Sequence, residues 1–382
     1  MKKRNFIITL IVVAAIAVRL GLFDYETLDY KNFLTNWVTF FKNNGGFSAL
    51  KYSVGNYNIP YLYFLAAFSY SSVRDLYLIK ALSCAFDFLL AFSSAGIAAK
   101  CGASKKMQTV LFGIILFLPT VVINSALWAQ CDSIYVSLAL FAIYLALSDK
   151  PSLSMVFFAL SFGFKLQAVF ILPVSIILLI MKKYRWYHFF VFPLTYFILI
   201  LPAVIIGRPI GDAITLYLDQ MDTVGTAANY NSPALNALTG GDGSVYAAFA
   251  AMVVVLIIAF LIRKSLDNTS FLLLSVILVT IIPFLLPHMH DRYFYASDVL
   301  SVIVIFTLFG YGIVTSISAS FAAVFQQFAS LICYLAYLKT YYIPLGHIYL
   351  TNDRGAVAVL ISLIIFALTV MYIQFDKIDK LH

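Results

Sequence analysis

Residues 59–72 read IPYLYFLAAFSYSS, and whether this stretch crosses a bilayer fixes the sidedness of everything after it. It holds fourteen residues, with a proline, Pro60, in second place. About 20 apolar residues are needed to cross the hydrocarbon core, whereas roughly 10–14 suit a re-entrant or interfacial segment. Beyond it, apolar runs near the spanning length recur at roughly 5–23, 74–99, 107–125, 132–148, 152–165, 168–182, 187–206, 244–262, 269–286, 294–313, 315–337 and 356–374. Of 382 residues, 63% are apolar and only 11% charged, too few charges to cover a water-facing surface of that size. The bilayer is therefore the solvent. Backbone inside lipid must satisfy its own hydrogen bonds, so each run is read as a helix. The predicted fold class is all-α, a polytopic transmembrane helical bundle of about 12 spans forming one domain over 1–382, with non-spanning stretches at 24–73 and 207–243. The run from Asn5 to Phe23 follows Lys2-Lys3-Arg4 without a small-residue cleavage site, so it is expected to be a retained first span rather than a signal peptide. Residues 152–182 are read as two spans meeting at a turn around Lys165.

Charge chooses between the two readings of 59–72. If the stretch does not cross, three basic clusters (Lys100/Lys105/Lys106, Lys182/Lys183/Arg185 and Arg263/Lys264) lie on the side of the basic N-terminus. If it crosses, all three move outside, against the bias of Lys and Arg toward cytoplasmic loops. The non-crossing reading makes 24–73 a first outer loop with interfacial or re-entrant helices. An even count of spans then leaves both termini cytoplasmic, with Lys377 and Lys380 inside. The net charge of +8 is a loop-sidedness signal on this reading, and no nucleic-acid partner is expected. The four cysteines have no metal or redox spacing and are expected to be free thiols.

On this topology the chemistry-bearing residues gather outside. The first loop carries Asp24, Glu26 and Asp29, and a carboxylate beside apolar surface can serve as a general base. Phe33, Trp37, Phe40 and Phe41 follow at helical spacing, the pattern of an amphipathic helix lying on the membrane and holding Asp29, the preferred base, at headgroup depth. Asn56, Tyr57, Asn58 and Tyr61 offer amides and phenols that either bind sugar hydroxyls or belong to an aromatic belt. Trp128, Gln130 and Asp132 head the next outer turn, where Asp132 is read as a helix N-cap, as an orienter of a sugar stacked on Trp128, or as both. Lys165 and Gln167 interrupt an apolar run, and ionisable groups at such depth are functional candidates. Lys80 and Asp87, two helical turns apart, are read as a structural interhelical pair. Asn231 joins the outer face from the 207–243 loop, while Pro344-Leu345-Gly346-His347 and Asn352-Asp353-Arg354 form a last outer loop with no assigned role.

The most specific string is Pro287-His288-Met289-His290-Asp291-Arg292-Tyr293-Phe294. Arg292 offers a planar fork of donors for phosphate, with His288, His290 and Lys165 as its helpers. His-x-His also has the spacing for a metal, but its carboxylate partners lie far away in sequence, so no metal or other cofactor is assigned, although a divalent ion is compatible. The chain carries no Walker loop, no Gly-x-Gly-x-x-Gly, no His-Glu-x-x-His and no Asp-x-Asp, and its cytoplasmic loops are too short for a nucleotide-binding domain.

In order along residues 19–300, Glu26–Trp37 (ETLDYKNFLTNW), Asn56–Tyr63 (NYNIPYLY), Asn124–Tyr135 (NSALWAQCDSIY), Phe162–Pro173 (FGFKLQAVFILP) and Pro287–Phe294 (PHMHDRYF) resemble bacterial relatives of the GPI mannosyltransferases that add the second mannose, within the glycosyltransferase C superfamily. The resemblance implies an outer first-loop acid as base, a re-entrant segment after it, and a polyprenyl-phosphate sugar as donor. Asp29 matches the first-loop acid, Asp132 the second-loop acid, Lys165 the basic residue between the fifth and sixth spans, and His290 with Arg292 the late-loop motif; Asp291 stands where the family is expected to have Glu. The expected activity is an inverting glycosyltransferase moving one hexose to a glycolipid or cell-envelope polysaccharide acceptor at the outer membrane face. Asp29 would be catalytic; Arg292, His290, His288 and Lys165 would bind donor phosphate. Asp132, Trp128, Gln130, Gln167, Asn56, Tyr57, Asn58, Tyr61 and Asn231 would bind sugar or acceptor. The alternatives are a lipid-linked glycan flippase, with Lys80, Asp87 and Lys165 lining a path, and a polymerase or ligase using a diphosphate-linked donor.

Overall fold

The computed structural model describes residues 2–222, 227–341 and 351–379. The Pro344–His347 segment therefore lies outside the described residues. Among these residues the protein is helical almost throughout: α1 (Lys2–Leu20), α2 (Thr35–Asn43), α3 (Ile59–Phe68), α4 (Asp75–Lys100), α5 (Lys105–Phe117), α6 (Pro119–Val122), α7 (Asp132–Leu147), α8 (Pro151–Phe164), α9 (Val174–Ile180), α10 (Val191–Ile206), α11 (Ile210–Asp222), α12 (Asn236–Thr239), α13 (Val245–Leu261), α14 (Asn268–Leu285), α15 (Tyr295–Ile305), α16 (Ile313–Tyr341) and α17 (Asn352–Asp379). The described strands are two-residue pieces, β1 (Asn229–Tyr230) and β2 (Met289–His290), paired in parallel. The protein is an all-helical membrane protein. Five helical stretches are long and apolar enough to cross a bilayer, namely Asp75–Lys100, Trp186–Ile206, Asn268–Leu285, Ile313–Leu338 and Asn352–Lys377. A sixth results if Lys105–Phe117 and Pro119–Leu127, bent by 46° at Leu118, count together. The bend has a local cause: Pro119 forces Leu118 out of the helical region, to ψ 123°.

The α3 helix has ten residues, roughly 15 Å at 1.5 Å per residue, half the thickness of a hydrocarbon core. The chain also breaks where Lys165 interrupts the apolar run. Lys165 is extended (φ −154°, ψ 134°), and a 3₁₀ turn (Leu166–Phe170) leads on to α9. The α2 helix differs from the expected surface-lying helix. Tyr30, Leu34, Val38 and Phe41 turn inward at three- and four-residue spacing and pack on α3, so Phe41 is core rather than a lipid anchor.

Two apolar cores result. One joins α4, α5, α7–α9 and α13–α17, with α14 apolar on every face and nearly enclosed. The other joins α2 and α3 to α4, α7, α8 and α10. The α1 helix is tied in by two separate polar contacts, and this corrects the Lys80–Asp87 pairing. Two turns of helix separate those side chains by roughly 10 Å along the axis, so they do not meet. Asp87 instead takes Arg19 Nε at 2.9 Å and the Ser125 hydroxyl at 2.6 Å. The Lys80 ammonium donates to the carbonyls of Leu22, Phe23 and Tyr25 at 2.6–3.0 Å, satisfying the orphan acceptors beyond the end of α1. At the other end of the bundle Lys377 pairs with Asp267, Asn268 donates to the Lys100 carbonyl and Lys183 pairs with Asp149. The basic clusters thus sit at helix ends remote from the loops described next. All four cysteines are free.

Candidate active site

Where the two cores meet, a cavity of about 640 Å³ is lined by Asp29, Phe33, Leu34, Trp37, Asn56, Tyr57, Trp128, Gln130, Lys165, Gln167, Tyr230, Asn231, His290, Asp291, Arg292, Tyr293, Ala336 and Tyr337. Seven stretches far apart in sequence contribute.

One wall presents a carboxylate. The three first-loop acids have different partners. Asp24 accepts from Tyr77 at 2.5 Å, and Glu26 pairs with Lys31 at 3.1 Å and with Arg74. Asp29 alone of the three faces the cavity. Its Oδ2 accepts from Trp128 Nε1 at 2.9 Å and Gln130 Nε2 at 2.5 Å. Both donors lie beside π-helical turns or strained backbone: a π-turn starts at Tyr30 and another ends at Leu127, and Ala129 between the two donors has φ 62°. Such π-turns and left-handed non-glycine residues concentrate at functional sites because they re-aim side chains at a cost in backbone energy.

The cavity lining also presents cations. Lys165 Nζ lies 2.5 Å from Asp132 Oδ1, and Arg292 Nε lies 3.6 Å from Asp132 Oδ2. Asp132 is fully buried and also accepts from Asn124 at 2.9 Å. This corrects both readings of Asp132: the cap position belongs to Cys131 and no side chain caps there, and the carboxylate reaches the cations rather than the cavity. Lys165, Arg292 and Asp132 sum to one positive charge, which the Asp29 carboxylate offsets. Burial opposes the Arg292 charge, but the carboxylates of Asp29, Asp132 and Asp291 outweigh it and hold the guanidinium protonated. His290 differs from the expected cationic helper. Burial, with Arg292 and Lys165 alongside, pushes it down to about 3, so it is a neutral imidazole at physiological pH. Burial pushes the neighbouring Asp291 carboxyl up to about 7.

A strap over residues 227–231 closes one side. Its β1 residues pair with β2, and the Tyr230 ring stacks on His290 at 4.6 Å. Asn231 donates to the Cys333 carbonyl at 2.8 Å while lining the cavity. His288 is a fastener here, not a phosphate ligand, because its Nδ1 meets the Ala227 carbonyl at 2.7 Å and it does not line the cavity. Two other expected contacts are also redirected. Asn58 caps α3 and donates to Tyr196, and the buried Tyr61 ring packs edge-on against Tyr57. Trp128 cannot stack a sugar, since Tyr337 covers one face at 4.3 Å, Tyr334 meets it edge-on, and Arg292 sits 5.8 Å from the ring. Tyr57 reaches Gln130 at 3.4 Å, and Asn56 and Gln167 complete the polar lining.

Sequence reading missed Tyr230, Tyr293, Tyr337 and the cavity-facing role of Asp291. The tyrosines carry no signal that separates them from an aromatic belt. Among the described residues no three His, Cys, Asp or Glu side chains converge as a metal site. No protein-family model matches this chain, and no curated protein matches it.

Proposed function

We propose that the protein is an inverting glycosyltransferase of the glycosyltransferase C superfamily that moves one sugar from a polyprenyl-phosphate donor to a glycolipid or cell-envelope glycan at the non-cytoplasmic membrane face. The observation that carries this reading is the convergence on one cavity of a hydrogen-bonded carboxylate (Asp29) and a buried cationic pair (Lys165 and Arg292). A base and an anion clamp lining one cavity suit a direct displacement. Asp29 takes the acceptor hydroxyl proton as that oxygen attacks the anomeric carbon. Arg292 and Lys165 take up the charge growing on the departing lipid phosphate. Attack from the face opposite the leaving group inverts the anomeric carbon. Trp128 and Gln130 position Asp29, and Asp132 positions the cations.

Depth supports a lipid-borne donor. The α7 and α15 helices, of 16 and 11 residues, start beside the cavity and run toward the basic end. They span only about 24 and 16 Å, so the cavity floor lies within the thickness of a bilayer of roughly 30 Å. The reading also counts about twelve crossings, α1 and the shorter apolar helices included, with both termini and the basic clusters cytoplasmic.

The test is transfer by the full chain in nanodiscs from a panel of polyprenyl-phosphate hexoses, with chelator controls and Asp29→Asn in parallel. A single transferred sugar that depends on Asp29 is expected. Vectorial movement of a lipid-linked glycan without transfer would instead mark a flippase, and a lengthened chain from a diphosphate donor a polymerase.

A further inference from the structure

We propose that Asp291 is the acid of this reaction, a protonated carboxyl that hydrogen-bonds the donor phosphate beside Arg292 and gives its proton to the departing phosphate oxygen. The inference rests on the phosphate-sugar reading above and adds a proton donor to it. Asp291 lines the cavity at 4% exposure, and its Oδ1 is buried with no hydrogen-bond partner, 3.5 Å from Arg292 Nη1. An unsatisfied buried polar atom is costly, and a ligand hydrogen bond removes that cost. The charged and titratable groups around it are Arg292 and Tyr293 on its own loop, Asp29 from the first loop, Asp132 from α7, and Cys333 and Tyr334 from α16. Two of these are carboxylates and one is a cation, so an ionised Asp291 would place a third anion about a single guanidinium.

Phosphate binding sharpens the conflict. With Asp291 ionised, Lys165, Arg292, Asp29, Asp132 and Asp291 sum to one net negative charge, and an arriving phosphodiester meets a like-charged neighbour. With Asp291 protonated the same groups sum to zero, and the free oxygen becomes one end of an O–H···O–P bond. Burial already holds this carboxyl up near 7. In the transfer, the bond between the anomeric carbon and the phosphate oxygen breaks with its electron pair staying on phosphate, and the acceptor oxygen bonds that carbon. The acceptor proton passes to Asp29 and the Asp291 proton to the phosphate oxygen. The products are the new glycoside and a polyprenyl hydrogen phosphate. Release of one proton from Asp29 to water and uptake of one by Asp291 restores the enzyme.

The test uses the full chain in nanodiscs and farnesyl methyl phosphate, a phosphodiester without a sugar whose single charge does not titrate between pH 5 and 9. The expected result is binding about tenfold weaker at pH 9 than at pH 6, with roughly half a proton taken up per ligand at pH 8. Asp291→Asn should bind equally at both pH values and take up no proton. In the transfer assay its kcat should fall roughly 100-fold at unchanged donor KM, with partial recovery in Asp291→Glu. Wild-type binding that ignores pH, or an Asn variant that keeps the dependence, overturns the proposal. If the binding results hold but no donor is turned over, the proton-coupled phosphate site stands and the transferase reading falls. If Arg292→Gln binds the probe as well as wild type, both fall.

Discussion

Asp29 differs from Asp24 and Glu26 in what it touches, although all three occupy one short stretch of the first loop. Tyr77 engages Asp24, and Lys31 and Arg74 engage Glu26, whereas Asp29 is held toward the cavity by two neutral donors. Asp29→Asn should therefore lose on the order of 100-fold or more in kcat, while Asp24→Asn stays within a few-fold; comparable losses in both variants would remove Asp29 from its special place. His290 sets a pH dependence of its own. Its folded pKa of about 3 lies below the ordinary 6.5, so on acidification the unfolded chain takes the proton first. The stability tied to this residue is present above 6.5 and drains away as pH falls from there toward 3. Thermal unfolding in detergent should thus show an acid-side loss over that window that His290→Gln reduces.

At the scale of elements, Asp132 is the junction. From the first turn of α7 it holds Lys165, at the break between α8 and the next turn, and Arg292, in the loop before α15. Removing one partner of a buried pair leaves an uncompensated charge and costs about 3 kcal/mol or more. Asp132→Leu should lower the unfolding midpoint by several degrees, and adding Lys165→Met should restore much of it without restoring transfer. A double variant no more stable than the single one would argue against the pair. Gly55 is a second element-level constraint: it has φ +63°, and an added Cβ would meet the ring of Trp37 on the cavity wall. Gly55→Ala should raise the acceptor KM by displacing Trp37, read as a rise in KM larger than any fall in kcat.

For the whole molecule, sidedness is decisive. Impermeant thiol reagents should label Asn56→Cys and Asp242→Cys, both exposed, from outside intact cells. Lys106→Cys and Lys264→Cys, also exposed, should react only after permeabilisation. Labelling of all four from one side would end the proposed topology.

Apolar periodicity alone dictated an all-helical membrane chain, because lipid leaves backbone no other way to satisfy its hydrogen bonds. Each of the twelve apolar runs coincides with a helix or a helix joined to a short turn. Residue types in the loops likewise signalled Asp29, Lys165, His290 and Arg292 as cavity groups, since charge and hydrogen-bonding side chains at the ends of apolar runs have few other reasons to be there. Roles were a different matter. Whether Asp132 touches substrate or holds cations, whether His288 binds or fastens, and whether Trp128 offers a free face depend on neighbours tens to hundreds of positions away, such as Lys165, Ala227 and Tyr337. Only packing decides which partner a side chain meets and how far water is excluded, and those two quantities set whether His290 is charged and whether Asp291 keeps its proton.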